Sequence, residues 1–128
     1  SVALGVSDKV IFHGRKSRDE VLHIMQSSHL FTMISKGEVF GLTYLEGMIA
    51  SCIPIGSIGE GIDGVIIDNE NGYLVSPDDE QGLIERIIEI SKMSRDQLIK
   101  IASSAYATAV KFSDSNMAQI YLDNVMKW

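Results

Sequence analysis

Short apolar runs alternate with helix-length amphipathic segments through the first three fifths of the 128-residue chain, and that alternation leaves few folds open. It is the mark of βα repeats laid into a parallel sheet. Residues 10–13 read as a strand. Ser17-Arg18-Asp19-Glu20 is a capping box, a hydroxyl at the N-cap with a carboxylate three residues on, and it predicts a helix to about Ser27. Residues 29–34 read as the next strand. Residues 40–51 carry Leu42, Leu45, Met48 and Ile49 at helical spacing, and 53–57 read as strand again. Residues 56–72 hold five of the chain's eleven glycines and end in the polar turn Asp68-Asn69-Glu70-Asn71-Gly72, ahead of a short strand over 73–76. Those glycines serve turns or let backbone approach a ligand closely. Pro77-Asp78-Asp79 opens a helix with Leu83, Ile84, Ile87 and Ile88 on one face, and Ser94 with Gln97 caps another running to about Val110. A last helix is predicted from Asp114, its stripe of Met117, Ile120, Tyr121 and Val125 in need of a partner. The expectation is one α/β unit with a four-strand parallel sheet.

Composition narrows the partners. Eleven Lys and Arg against seventeen Asp and Glu give a net charge of −6, so no field draws the chain to a nucleic-acid backbone or an acidic membrane. Nucleic acid is not an expected partner. The single Cys52 cannot form an internal disulfide, which fits a reducing compartment, and no Cys/His cluster has metal spacing. Neither a metal nor a cofactor is expected. The apolar runs are too short to span a bilayer and no signal peptide opens the chain, so a cytoplasmic protein is expected, with peripheral membrane association of the full-length protein left open. The start at Ser1, running straight into a strand-like segment, suggests a piece of something longer. His13, His23 and His29 read as surface or structural residues, since none has a carboxylate or serine partner at a telling spacing.

The stretch KGEVFGLTYLEG, residues 36–47, is a strand-loop-helix junction with Glu38 at its mouth and Glu46 inside the helix. In an open parallel sheet, ligands sit outside the carboxyl ends of the strands, where loops lead into helix N-termini. The first amides of a helix lack intrahelical acceptors and carry the positive end of the macrodipole, so they suit a phosphate. Carboxylates suit vicinal hydroxyls instead. Glu46 lies about five residues into the helix, or ~7.5 Å along its axis, so one ligand can touch both acids. Two readings remain open on the residues alone: amides and acids sharing a sugar nucleotide, or two solvated glutamates.

Ordered similarity to a known family covers nearly the whole chain. Ser35-x-x-Glu38-x-Phe40-Gly41-Leu42, continuing through Leu45-Glu46-Gly47-Met48 to Cys52-Ile53-Pro54-Ile55, resembles the signature of retaining glycosyltransferases of the GT-B fold, family 4 type. Val10-x-Phe12-x-Gly14, Gly59-Glu60, Asn71-Gly72-Tyr73-Leu74-Val75 and Phe112-Ser113 match the flanking pattern. The resemblance implies an α/β, Rossmann-like parallel sheet with flanking helices, as in the C-terminal half of such an enzyme. Residues 1–128 would form one donor-binding unit, with the acceptor-binding N-terminal domain absent. Carried over residue by residue, it implies that Glu38 is the catalytic-site acid on the donor sugar, and that Val39, Phe40, Gly41 and Leu42 meet the diphosphate. Glu46 would bind the ribose, and Gly14 and Arg15 would line the nucleobase side. The donor substrate would be a nucleoside diphosphate sugar and the acceptor a carbohydrate or lipid, with a hexose moved, anomeric configuration retained, and no metal. Alone, the chain is expected to be inactive.

Three positions depart from the pattern: Ile34 where proline is usual, Gly47 where alanine is usual, and Ser51 where glycine ends the helix. Lys36, Arg15 and Lys16 are nearby cations read as surface residues. The alternatives are a sugar-nucleotide epimerase of the same two-halved fold and a non-catalytic α/β binding domain. A dinucleotide-binding domain is disfavoured, because no Gly-x-Gly-x-x-Gly follows the first strand.

Overall fold

The computed structural model describes residues 5–37, 39 and 41–112. Three short strands, β1 (Leu30–Thr32), β2 (Ile53–Ser57) and β3 (Tyr73–Val75), form a parallel sheet in the order β1-β2-β3. Thr32 stands opposite Ile55, and Ile55 opposite Tyr73. Four helices flank it: α1 (Arg18–Gln26), α2 (Leu42–Ile49), α3 (Glu80–Ser91) and α4 (Arg95–Lys111). Every residue of β2 is buried, as a strand between two parallel neighbours with both faces covered must be. On one face Ile53 and Ile55 pack with Tyr73, Val75, Ile90 of α3 and Ile101 of α4. Gly56 meets Tyr44, Ile62 and Ile66 on the other. Met48 of α2 closes onto Ala105 and Ala109 of α4.

Proline is unusual in a central strand, and Pro54 is tolerated by register. Ile53 donates its N–H to His29 on the β1 side (2.9 Å), so the next nitrogen points toward β3, whose ladder begins only at Ile55. No bond is lost. Gly72 crosses at that spot, where a Cβ would fall 2.6 Å from the Pro54 ring.

The capping signals form as read. Ser17 accepts the Glu20 N–H while Glu20 accepts the Ser17 N–H at 2.9 Å, and Ser94 pairs with Gln97 in the same way. The Ser17 backbone N–H first, then the Lys16 ammonium and the Ser17 hydroxyl, hold the Glu20 carboxyl below its ordinary range. Asp79 caps α3 by accepting the Gly82 N–H at 2.8 Å. Helix α2 ends differently. Cys52 donates to Gly47 O (2.9 Å) and Ser51 to Met48 O (3.0 Å), the paired bonds of a Schellman stop, with Ser51 at φ 66°. Serine therefore holds the left-handed position that glycine was expected to fill. Gly47, in place of alanine, admits Phe31, since a Cβ there would lie 3.0 Å from the Phe31 ring.

Two expectations change or fall away. Residues 10–13 are extended at Val10 but are not paired into the sheet, and Ile11 and Phe12 are exposed. A strand exists through its ladder, and no described strand is bonded to this segment, so the described sheet has three strands rather than four. The helix expected from Asp114 lies outside the described residues.

The Asn-Gly pair before β3 is structural. Asn71 is 3% exposed, accepts the Ile67 N–H (2.7 Å) and donates to Val65 O (3.0 Å) and Thr108 Oγ1 (2.9 Å), tying the glycine-rich loop to α4. Cys52 is buried with its thiol donating to Met25 O (3.1 Å), and burial pushes its pKa up, which suits a packing residue rather than a nucleophile.

Asn71→Ala strips the partners from the Ile67 N–H and the Val65 carbonyl, and denaturant unfolding should show a loss of about 2 kcal/mol. Ser51→Gly relieves the left-handed strain at the end of α2. The same measurement should show a gain of about 1 kcal/mol.

Candidate functional site

Because the strands are parallel, the loops after β1, β2 and β3 all leave from the same edge of the sheet. The loop after β1 is tied down at its base. The Ser35 N–H donates to the fully buried Ser57 Oγ at the end of β2 (3.1 Å), and the Tyr44 hydroxyl of α2 donates to the Met33 carbonyl. Lys36 reaches across to Asp78 in the loop after β3, Nζ to Oδ1 at 2.5 Å. Ser35 Oγ is buried and has no partner among the described residues.

Gly41 turns this loop into α2 at φ 68°. A Cβ there would stand 2.9 Å from the Tyr44 ring and 3.3 Å from Ile62, so both the backbone sign and the space call for glycine. Beneath it, Tyr44, Ile62 and Ile66 are buried together, and Phe31 meets Tyr44 edge-on at 5.5 Å between ring centres. The residues after β2 are thereby seated under the start of α2.

Helix α2 carries no side-chain cap and no acid in its first turn, whereas α1, α3 and α4 have both. A helix amino end carries a partial positive charge, which the caps and first-turn acids of the other three helices offset. Glu46 sits one turn further along the helix, its side chain 32% exposed. Arg18, the first residue of α1, sends both Nη2 (2.9 Å) and Nε (3.1 Å) to Glu46 Oε1.

The expected site residues thus fall as follows. Gly41 and Leu42 form the amino end of α2, and Val39 just before them is exposed. Gly14, at φ 64°, and Arg15 are exposed on the approach to α1, three to four residues from the arginine that holds Glu46. Glu38 and Phe40 lie outside the described residues. Lys16 pairs with Glu20 (2.9 Å) and Lys36 with Asp78, so both belong to surface ion pairs. All three histidines are exposed. Sequence reasoning missed Arg18, which entered only as part of a capping box. It is 28 positions from Glu46, and no local pattern announces that contact.

No described helix is long and apolar enough to cross a membrane. Comparison with known proteins bears on the rest. The family described as glycosyl transferases group 1 matches residues 1–105. N-acetyl-alpha-D-glucosaminyl L-malate synthase of Bacillus anthracis is 34% identical over 89 residues, 70% of this chain and 23% of that protein. The chain therefore spans about a quarter of that relative's length. The C-terminal domain of a glycosyl transferase group 1 family protein, LpcC, from Francisella tularensis superposes with a TM-score of 0.78 at 26% identity, covering 86% of this chain and 56% of that one. Anabaena Alr3699/HepE, solved in complex with UDP-glucose, superposes with a TM-score of 0.83 at 22% identity over 99% of this chain and 35% of its own, and shares the fold. The parallel sheet, the flanking helices, the glycine-entered α2 and the match over most of its length agree: the chain belongs to the group 1 glycosyl transferases and has the GT-B type of domain.

Proposed function

We propose that the chain is the donor-binding portion of a retaining, family 4 type glycosyltransferase that moves a hexose from a nucleoside diphosphate sugar to a carbohydrate or lipid acceptor. In this reading the chain is one Rossmann-like unit, and the acceptor is held by a domain outside it. The observation that carries it is Glu46, a partly buried carboxylate anchored on the same helix whose uncapped amino end stands at the carboxyl edge of the sheet. A pyrophosphate suits those first amides and the dipole behind them, while the carboxylate one turn along accepts from a pair of ribose hydroxyls. Gly41 lets the diphosphate approach the backbone without a side chain in the way. In this reading Val39, Phe40 and Leu42 are assigned to the diphosphate, Glu38 to the donor sugar, and Gly14 and Arg15 to the nucleobase side.

Two relatives support a sugar nucleotide as ligand: the Bacillus anthracis enzyme is named for an N-acetylglucosaminyl product, and HepE was solved with UDP-glucose. The chemistry asked of the protein is chiefly positioning and stabilisation of the departing diphosphate by amides and dipole. No cofactor beyond the donor enters this reading. With the acceptor side elsewhere, the isolated chain should not catalyse transfer.

Glu46→Ala in the full-length enzyme should weaken binding of its nucleoside diphosphate by about 1 to 3 kcal/mol, the scale of a hydrogen bond to a charged group, in calorimetric titrations with UDP, GDP and ADP. Unchanged affinity for all three would leave Glu46 a surface residue and remove the reading.

A further inference from the structure

Arg18 is oddly placed for a residue that serves its own helix. A cation in the first turn opposes the macrodipole, and Asp19 and Glu20 already supply the acids that this turn prefers. Its ion pair with Glu46 is an unconvincing fold stabiliser, because the arginine side chain is 77% exposed and such pairs contribute little. What the pair does accomplish is geometric. Two of the three guanidinium nitrogens, Nη2 and Nε, converge on Oε1 at 2.9 and 3.1 Å, so the carboxylate is held by one oxygen and Oε2 lies outside the pair. The arginine itself stands on a fixed base, since the reciprocal Ser17 and Glu20 bonds set the start of α1. Lys16, the neighbouring cation, is engaged with Glu20 and does not compete for Glu46.

We propose that Arg18 is a positioning residue for nucleotide recognition: it holds the Glu46 carboxylate so that the second oxygen receives the vicinal hydroxyls of the donor's pentose, and it thereby sets the preference for ribonucleotide over 2′-deoxyribonucleotide diphosphates. This rests on the donor-binding reading of Glu46 given above. A carboxylate on a flexible side chain must be ordered when it binds, and an arginine that orders it beforehand removes that cost from the binding step. Charge alone does not suffice, because lysine offers a point charge without the two-nitrogen grip.

The test is calorimetric titration of the full-length enzyme with UDP, GDP and ADP, then with the 2′-deoxy counterpart of whichever binds tightest. Wild type is compared with Arg18→Ala, Arg18→Lys, Glu46→Gln and the double variant Arg18→Ala/Glu46→Gln. Arg18→Ala should weaken the ribonucleotide about tenfold and the deoxyribonucleotide much less, so that the ribose preference shrinks. Arg18→Lys should fall between, and the double variant should bind no more weakly than Glu46→Gln, because the arginine acts through the acid. Equal weakening of both nucleotides by Arg18→Ala, or unchanged or tighter binding while Glu46→Gln weakens it, overturns the role of Arg18 and leaves the donor site standing. Unchanged binding in Glu46→Gln overturns both.

Discussion

The two parallel ladders of β2 are what the remainder of the molecule hangs on. Five consecutive residues from Ile53 to Ser57 are buried, and each neighbour is fixed to them in register, β1 through Leu30 to Thr32 and β3 through Tyr73 to Val75. Parallel pairing sends every following loop to one edge and requires a helix or long crossover to return each time. The carboxyl edge thereby becomes a place where three loops meet. Ser57, the last residue of β2, shows the link directly, for its buried hydroxyl receives the N–H of Ser35 in the neighbouring loop.

Close approach is the second constraint, and glycines meet it. At Gly56 a Cβ would come 2.8 Å from Ile62, at Gly72 2.6 Å from Pro54, and at Gly41 2.9 Å from Tyr44. These three positions let the 58–72 segment fold over the sheet and beneath the start of α2. Ile62 and Ile66, fully buried against Tyr44, are the apolar anchors of that arrangement. Gly59 and Gly64 differ: nothing lies within 4 Å of a Cβ there, and their positive φ values of 76° and 90° mark them as turn glycines. The glycine-rich stretch is thus mostly a packing and turning device, and its Asn71 is a buried brace to Thr108 of α4.

Electrostatics separates α2 from the other helices. Three helices offset their positive ends with a hydroxyl or carboxylate cap and a first-turn acid, while α2 begins at a left-handed glycine with neither. From another helix, the grip of Arg18 on Glu46 joins two segments that the chain keeps far apart. Membership of the group 1 glycosyl transferases gives the proposed donor, with its anionic centre and hydroxylated flanks, a chemical setting.

Much of this was legible in the chain itself, because the signals are local. Capping boxes at Ser17 and Ser94, the apolar spacing of Leu45 and Met48, and the apolar run around β2 each follow from the properties of neighbouring residues, and each formed where expected. Residues 10–13 carry an equally strand-like pattern, yet a pattern cannot pair itself, and no described strand lies bonded beside them. Ser51 and Gly47 looked like simple departures, but the first bears a left-handed φ and the second makes room for Phe31, facts that depend on where β1 lies against α2. What the order of residues determined by itself was the three strands that pair and the four helices with the caps of α1 and α4, since caps and periodicity act within a few residues. Only the tertiary structure decided that Arg18 grips Glu46 and that Ser57, Lys36 and Asp78 tie the loops together, because side-chain contacts across 28, 22 and 42 positions exist only once the sheet has brought those segments to one edge.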